Sequence, residues 1–370
     1  RQRAIQARNY FDPEKSAYTR VQSGATLGGP IVKDKTHFFL AFERLDRHET
    51  AFVPIYQDRS VFGKLTTSQQ QLADFFAASG VASLQGLGVT MTKALVTNNY
   101  PGTLKLFDSN SGNFPFKESS NQASVRLDHR FSGNHSLFLR GNLTDNPSEN
   151  AQFGALLACN RGRSVNVLDG TWMLTDTWLI SQKWVSETRA SFSYNRIAVV
   201  PTDEFGPEIN ITGYGLFGRE IFLPSRTYER QVHLKQNMNY LGSKHNLKFG
   251  GEIAPVKDVV SSATFFSGRF SFGSRVPLGE VLNQATGNPG FATGLASTLA
   301  SLGKSSLIPS LSAGITSLQS YNLGLPEFYQ QGFGDPNWVG WSKRYNFFIQ
   351  DSYRLHPRLT LNFGARYELE

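Results

Sequence analysis

The chain has 370 residues, 39% hydrophobic, 18% charged and 13% aromatic, and its 29 Phe, 13 Tyr and 5 Trp exclude a disordered polymer. Lys plus Arg is 37 against 29 Asp plus Glu. This +8 excess is spread along the chain, which speaks against a nucleic-acid patch and leaves a mild bias toward an anionic surface or ligand. The single cysteine, Cys159, excludes an internal disulfide framework and a Cys-rich zinc site; beside Asn160 and Arg161 it reads as a loop thiol.

Arg1 to Arg8 carry neither an initiator Met nor a signal-peptide core, so the sequence is expected to be a segment of a longer protein. No apolar run approaches the ~20 residues of a membrane helix, but that leaves a β-barrel open. The informative signal is alternation with period two. Ala123, Val125, Leu127 and Phe131 oppose Gln122, Ser124, Arg126, Asp128 and Arg130. Leu137, Leu139 and Leu143 oppose Arg140, Asn142 and Thr144, and Ala190, Phe192 and Tyr194 oppose Arg189, Ser191 and Ser193. Val232, Leu234, Met238 and Tyr240 share a parity with Arg230 and Gln236, and Leu359, Leu361, Phe363, Ala365 and Tyr367 close the pattern. A strand sends alternate side chains to opposite faces, so each segment has one apolar and one wet face.

About ten strands follow, spanning 17–31, 36–49, 121–131, 136–146, 164–180, 185–200, 227–241, 246–260, 341–354 and 359–370. Short polar turns near Asp34, Asn134, Gln182, Ser243 and Pro357 join them into hairpins. Between hairpins lie long connections, roughly 50–120, 147–163, 201–226 and 261–340. Loops that long are unusual in compact soluble domains, whereas outer-membrane barrels have short turns at one end and long loops at the other. Within the loops, Leu72, Phe75 and Phe76 after Thr66-Thr67-Ser68, and Phe291, Leu295, Leu299 and Leu302, have helical spacing. Residues 303–320, rich in Gly and Ser, read as loop.

Residues 9–49 carry a more specific signal. The run Arg8-Asn9-Tyr10-Phe11-Asp12-Pro13, then Leu27-Gly28-Gly29-Pro30-Ile31, then Lys33-Asp34-Lys35-Thr36-His37-Phe38-Phe39-Leu40, resembles Oar-like TonB-dependent transporters. In that family the first stretch leaves the plug and the others make the first barrel hairpin. Phe348-Ile349-Gln350-Asp351-Ser352-Tyr353-Arg354 and Pro357 through Glu368 resemble a hairpin found across TonB-dependent barrels generally. The resemblance implies a barrel of about 22 strands closed around an N-terminal plug, with energy relayed by the TonB system. The fold class expected is therefore all-β, an antiparallel transmembrane barrel segment in the bacterial outer membrane. Residues 1–16 would be the plug-to-barrel connection and 17–370 the N-terminal part of an incomplete barrel. The TonB-contacting box and most of the plug are absent, and the chain ends at Glu370 rather than on a terminal aromatic.

Catalytic and cofactor signals are weak. Gly213 to Gly218 spells G-x-G-x-x-G, but Pro207 precedes it, Pro224 follows it and no helical pattern lies between, unlike a dinucleotide site. The seven His are scattered without metal-ligand spacing. No enzyme activity, cofactor or metal site is expected. Arg126, Arg130, Arg140, Arg189, Lys248 and Arg366 fall on the polar parity and read either as a lumen wall that meets the plug and guides anionic groups, or as ordinary solvated charges. Trp172, Trp178, Tyr194, Tyr240, Tyr345, Tyr353 and Tyr367 fall on the apolar parity, as an interfacial belt would. Tyr329, Phe333 and Trp338, beside Gly332 and Gly334, are the candidate ligand-capture residues, the alternative being that loop aromatics pack the loops together.

Three functions fit. The first is a TonB-dependent transporter whose partners are the TonB system, its own plug, outer-membrane lipid and lipopolysaccharide, and a scarce, unidentified ligand. The second is a passive porin with no plug. The third is an all-β carbohydrate-binding surface protein, whose apolar parity would pack against a second sheet instead of lipid.

Overall fold

The computed structural model describes residues 7, 8, 10, 14–55, 59–151, 156–204 and 206–370. Most of the expected plug-to-barrel connection, including Asn9, Phe11, Asp12 and Pro13, lies outside the described residues. The wall begins with β1 (Tyr18–Val32), β2 (Thr36–Val53), β3 (Gly112–Ser132), β4 (His135–Ala151), β5 (Arg163–Ser181) and β6 (Trp184–Pro201). Two short strands, β7 (Glu208–Ile211) and β8 (Gly215–Phe217), precede β9 (Ser225–Leu241) and β10 (His245–Ser262). After β11 (Arg269–Phe272) and β12 (Phe328–Gln330) come β13 (Asn337–His356) and β14 (Leu359–Leu369). The ten long strands form one sheet in the order β1-β2-β3-β4-β5-β6-β9-β10-β13-β14, every pair antiparallel. Each expected strand is present, and the short turns sit where the sequence places them.

The register turns alternation into two chemically distinct faces. Leu27, Leu40, Val125, Gly141, Trp172, Phe192 and Val232 are successive partners across seven strands. One residue away, Phe39, Arg126, Arg140, Met173, Ser191 and His233 make the neighbouring row on the other face. A slip of one residue would exchange these rows, so the pattern pins the register. Gly141 is required where it stands: a Cβ there would occupy the space of the Trp172 ring lying over it. The apolar face is uncovered, with Leu27 62%, Ile349 52% and Phe363 60% exposed. Such a continuous apolar surface is untenable in water and is what a lipid-facing wall presents.

The buried apolar residues lie instead in the long connections; from within wall strands come Val53, at the far end of β2, and Ala254. The first connection folds into α1 (Thr67–Ala78), α2 (Ala82–Leu95) and α3 (Pro101–Ser109). The last carries α4 (Leu278–Thr286), α5 (Phe291–Ser301), α6 (Pro309–Ser312) and α7 (Ser317–Asn322). Leu72 and Phe76 of α1 and Leu295 and Leu299 of α5 meet in one cluster, as the two helical stripes predict, and Met91 and Leu95 of α2, which belong to neither stripe, join them. Leu302, the last residue of the second stripe, lies past the end of α5 and is exposed. A second cluster joins Val53, Ile55, Phe62, Phe107, Ala158, Ile211, Phe217 and Leu318, so all four long connections share a core. Residues 303–320 depart from the loop reading: α6 and the start of α7 lie there. The short strands make a separate sheet, β12-β11-β7-β8, in which β7 and β11 run parallel. Gly213 to Gly218 forms the β7–β8 hairpin end, with no helix after it.

Wall strands also run further toward the long connections than alternation shows. β2 and β3 stay paired out to Val53 and Gly112, where residues such as Lys117 and Glu118 make both faces polar and hide the period. At ~3.3 Å per residue, β3 is far longer than the ~9–11 residues needed to cross a membrane.

Candidate functional site

The six cations of the polar parity all fall on the face opposite the apolar rows. Arg126 pairs in register with Arg140, Arg130 with Ser136, Arg189 with Lys235, Lys248 with Gln350 and Arg366 with Phe348. Three are neutralised two residues along their own strand. Arg126 Nε donates to Asp128 at 2.7 Å, Arg189 reaches Glu187 at 3.1 Å, and Arg366 bonds Glu368. Arg126 also lies 4.9 Å over the Phe138 ring. Among the described residues no carboxylate comes within 4.0 Å of Arg130, Arg140 or Lys248.

The same face carries a hub that the sequence did not disclose. Glu252 accepts from Asn346 Nδ2 at 3.0 Å and has His233 Nε2 at 3.3 Å and Lys235 Nζ at 3.5 Å. Glu252, Lys235, Asn346, Phe348, Gln350 and Arg366 line a cavity of about 450 Å³. Their separation in sequence, across β9, β10, β13 and β14, left no local motif to read.

In the long connections, Glu208 is fully buried and holds two guanidinium groups. Arg161 Nε donates to it at 2.8 Å and Arg269 Nε at 2.6 Å. Glu220 is 3.0 Å from Arg163 Nη2 and 3.8 Å from Arg161 Nη1. These five residues tie three connections together. Losing one member of a buried pair strands the other without solvent, which typically costs about 3–5 kcal/mol. Burial raises the Cys159 thiol above its ordinary value and does the same for the Tyr321 phenol, whose ring meets Phe272 edge-on at 5.1 Å. Cys159 is half-buried among the loops, and its raised pKa lowers the thiolate fraction at neutral pH.

The three candidate capture residues differ in setting. Tyr329 lies on β12, its ring 4.6 Å from Phe270 and its hydroxyl 3.1 Å from Gln331 Oε1, so it serves the small sheet as well as the surface. Phe333 is 84% exposed. Trp338 opens β13, pairs with Val260 and covers Gly340. Their region is bound to 263–270, since Gly332 N–H donates to the Phe265 carbonyl at 2.9 Å. Among the described residues no ring stacking joins the three.

The seven aromatics of the apolar parity share the outer face with that row. Trp172 partners Phe192, Tyr345 partners Ile253, and Tyr353 partners Leu361.

The ten-stranded sheet is similar to the outer membrane transporter YddB from Escherichia coli, with a TM-score of 0.50, 10% identity, 97% of this chain covered and 34% of that one. FpvA from P. aeruginosa, solved with heterologous pyoverdines, gives a TM-score of 0.46 at 9% identity, covering 95% of this chain and 36% of its own. The siderophore receptor PirA from Acinetobacter baumannii gives 0.43 at 11% identity, with 97% and 37% covered. The chain thus spans about a third of the length of the solved transporters it matches. No curated protein matches it by sequence. The family model described as "Outer membrane beta barrel domain" matches residues 1–370. The two-faced antiparallel wall and this match lead to one conclusion: the chain belongs to the outer membrane β-barrel domain family and resides in the outer membrane.

Proposed function

We propose that residues 17–370 form the N-terminal part of the barrel wall of a TonB-dependent transporter, and that residues 1–16 lead out of its plug. The long connections capture a scarce ligand, with Tyr329, Phe333 and Trp338 in the capture surface. The plug blocks the lumen until work relayed by the TonB system shifts it. Arg126, Arg130, Arg140, Arg189, Lys248 and Arg366 line that lumen, where they meet the plug and guide anionic groups. No covalent chemistry is involved, and the protein partners are the plug and the TonB system.

The observation that carries the reading is the pairing of an uncovered apolar face with a charged one on a single sheet. A carbohydrate-binding sandwich would bury that apolar face under a second sheet. The hairpin carrying the Gly-Gly-Pro and Lys-Asp-Lys-Thr stretches folds as β1, a short turn and β2, in keeping with the family it resembles. A passive porin shares the wall but lacks a plug, and ion conductance separates the two. Full-length protein in a planar bilayer in potassium chloride should carry no steady current, and deleting the plug should open one. Steady current through the intact protein would favour the porin.

A further inference from the structure

Where the apolar band gives way toward the long connections, the lipid-facing parity becomes charged, and it does so unequally around the sheet. On β2 to β4 each such cation has a carboxylate: Arg44 Nε bonds Asp46 at 2.7 Å, and Lys117 Nζ lies 3.5 Å from Glu149. On β6, β9, β10 and β13 the corresponding cations are Arg196, Arg230, Lys257 and Lys343, which share a face with Phe192, Val232, Ile253 and Tyr345. Among the described residues none of the four has a carboxylate within 4.0 Å. Arg230 and Lys257 are register partners on adjacent strands. Like charges placed opposite each other are destabilising, so this pair calls for an anion that the described residues do not supply. Arg196 donates Nη2 to Asn166 Oδ1 at 2.8 Å, while its Nε is shielded from water without a hydrogen-bond partner.

Height fixes the kind of anion. The four cations lie eleven to thirteen residues from the short-turn ends of their strands. At ~3.3 Å per residue and a tilt of about 45°, that is roughly 28 Å, just past the far edge of an apolar band about 25 Å tall. Long loops of such barrels face outward, which places the patch at the headgroups of the outer leaflet. Arg230 lies 5.7 Å from the Tyr194 ring centre and Lys257 5.3 Å from that of Trp341, an amphipathic pairing suited to that level.

We infer that Arg196, Arg230, Lys257 and Lys343 form a binding site for the phosphate groups of a lipopolysaccharide headgroup, with its acyl chains on the apolar rows below. The assignment rests on the outer-membrane placement of the wall and needs neither plug nor TonB, so it stands or falls apart from the transport proposal. The test uses full-length protein in phosphatidylethanolamine vesicles carrying bisphosphorylated lipid A, dephosphorylated lipid A or phosphatidylglycerol, with lipid affinity as the readout. Wild type should bind the bisphosphorylated form most tightly. Arg230→Gln with Lys257→Gln should weaken that binding about 30-fold, at roughly fivefold for each surface cation. Binding of the dephosphorylated form should not change, and Lys117→Gln, at a paired cation, should leave both affinities intact. Heat-modifiable mobility reports folding; if the first variant fails it, Arg196→Gln with Lys343→Gln is held to the same expectation. Equal wild-type affinity for the two lipid A forms, or a folded variant that binds as wild type does, would overturn the site. Phosphatidylglycerol binding as tight as bisphosphorylated lipid A would overturn its assignment to lipopolysaccharide.

Discussion

Gln69 and Gln319, 250 positions apart, donate their side-chain amides to each other at 2.9 Å in the buried centre of the long connections. Each is also the reciprocal member of a capping box. Thr66 N–H donates to Gln69 Oε1 at 3.0 Å, and Thr316 N–H to Gln319 Oε1 at 2.9 Å. The starts of α1 and α7 are thereby locked to one another, with Gln319 donating also to the Leu95 carbonyl. Helix capping within each loop and docking between loops use the same atoms.

Substituting either glutamine by Leu should loosen this junction. Each single change leaves buried amide groups unpaired, at a cost of about 1–3 kcal/mol. Hydrogen exchange on the full-length protein should show faster opening of α1 and α7 in each variant. The double variant should cost less than the sum, since both amides leave together.

Arginine at Leu139 or Leu361 should impair assembly of the full-length protein in the outer membrane. Both lie on the lipid-facing rows, Leu139 beside Leu174 and Leu361 beside Tyr353. Such a charge costs about 2–4 kcal/mol near the bilayer midplane and about 0–1 near the interface, so the damage should be greater at Leu139 than at Leu361, which lies two residues from its turn. Asn142 and Asn362 pair with Ser124 and Ser352 on the opposite face, so arginine there should be mild. Heat-modifiable mobility after outer-membrane extraction reads the difference, and equal damage at both pairs of positions would contradict the two-faced wall.

Single cysteines give the orientation. Positions 34, 134, 244 and 356 should lie in the periplasm, and Asp203, Asp335 and the exposed Gly86 outside the cell. Asn110, which the sequence also nominates as an external position, is a poor label site because it is buried and accepts the Asn160 N–H at 3.0 Å. Cys159 needs replacement by Ser for this experiment. Left in place, it should react slowly at neutral pH, since a raised thiol pKa lowers the thiolate fraction, and its labelling rate should climb as pH rises toward that value.

The wall was legible in the sequence because each strand has one wet and one apolar face, a constraint that leaves its mark at every second residue. Residues with both faces wet, such as those around Lys117 and Glu118, carry no such mark, and the strand ends there were missed. In residues 303–320 the Gly and Ser content masked α7, although Thr316 and Gln319 have capping-box spacing and could have disclosed its start. The Arg161, Glu208 and Arg269 cluster left no trace, because its members are 47 and 61 positions from one another and meet only when three connections fold together. The candidate capture residues were found as aromatics, but only the structure distinguishes the packed Tyr329 from the exposed Phe333.

Replacing Tyr329, Phe333 and Trp338 together with Ser in the full-length protein should weaken ligand uptake while leaving heat-modifiable mobility intact. Phe333→Ser alone should have little effect on loop stability, whereas Tyr329→Ser should also speed hydrogen exchange in β11 and β12, since its ring packs on Phe270. Unchanged uptake by a folded triple variant would remove the capture assignment.

A collision scan along β4 addresses the two faces directly. In full-length protein carrying Cys159→Ser, spin labels are placed singly at Leu137, Phe138, Leu139, Arg140, Asn142 and Leu143 and exposed to oxygen, which concentrates in lipid, or to a water-soluble nickel complex. Positions 137, 139 and 143 should favour oxygen and positions 138, 140 and 142 should favour nickel, odd and even residues falling into opposite classes. Uniform accessibility, or the same alternation with its sign reversed, would contradict the assignment of one face to lipid and the other to the lumen.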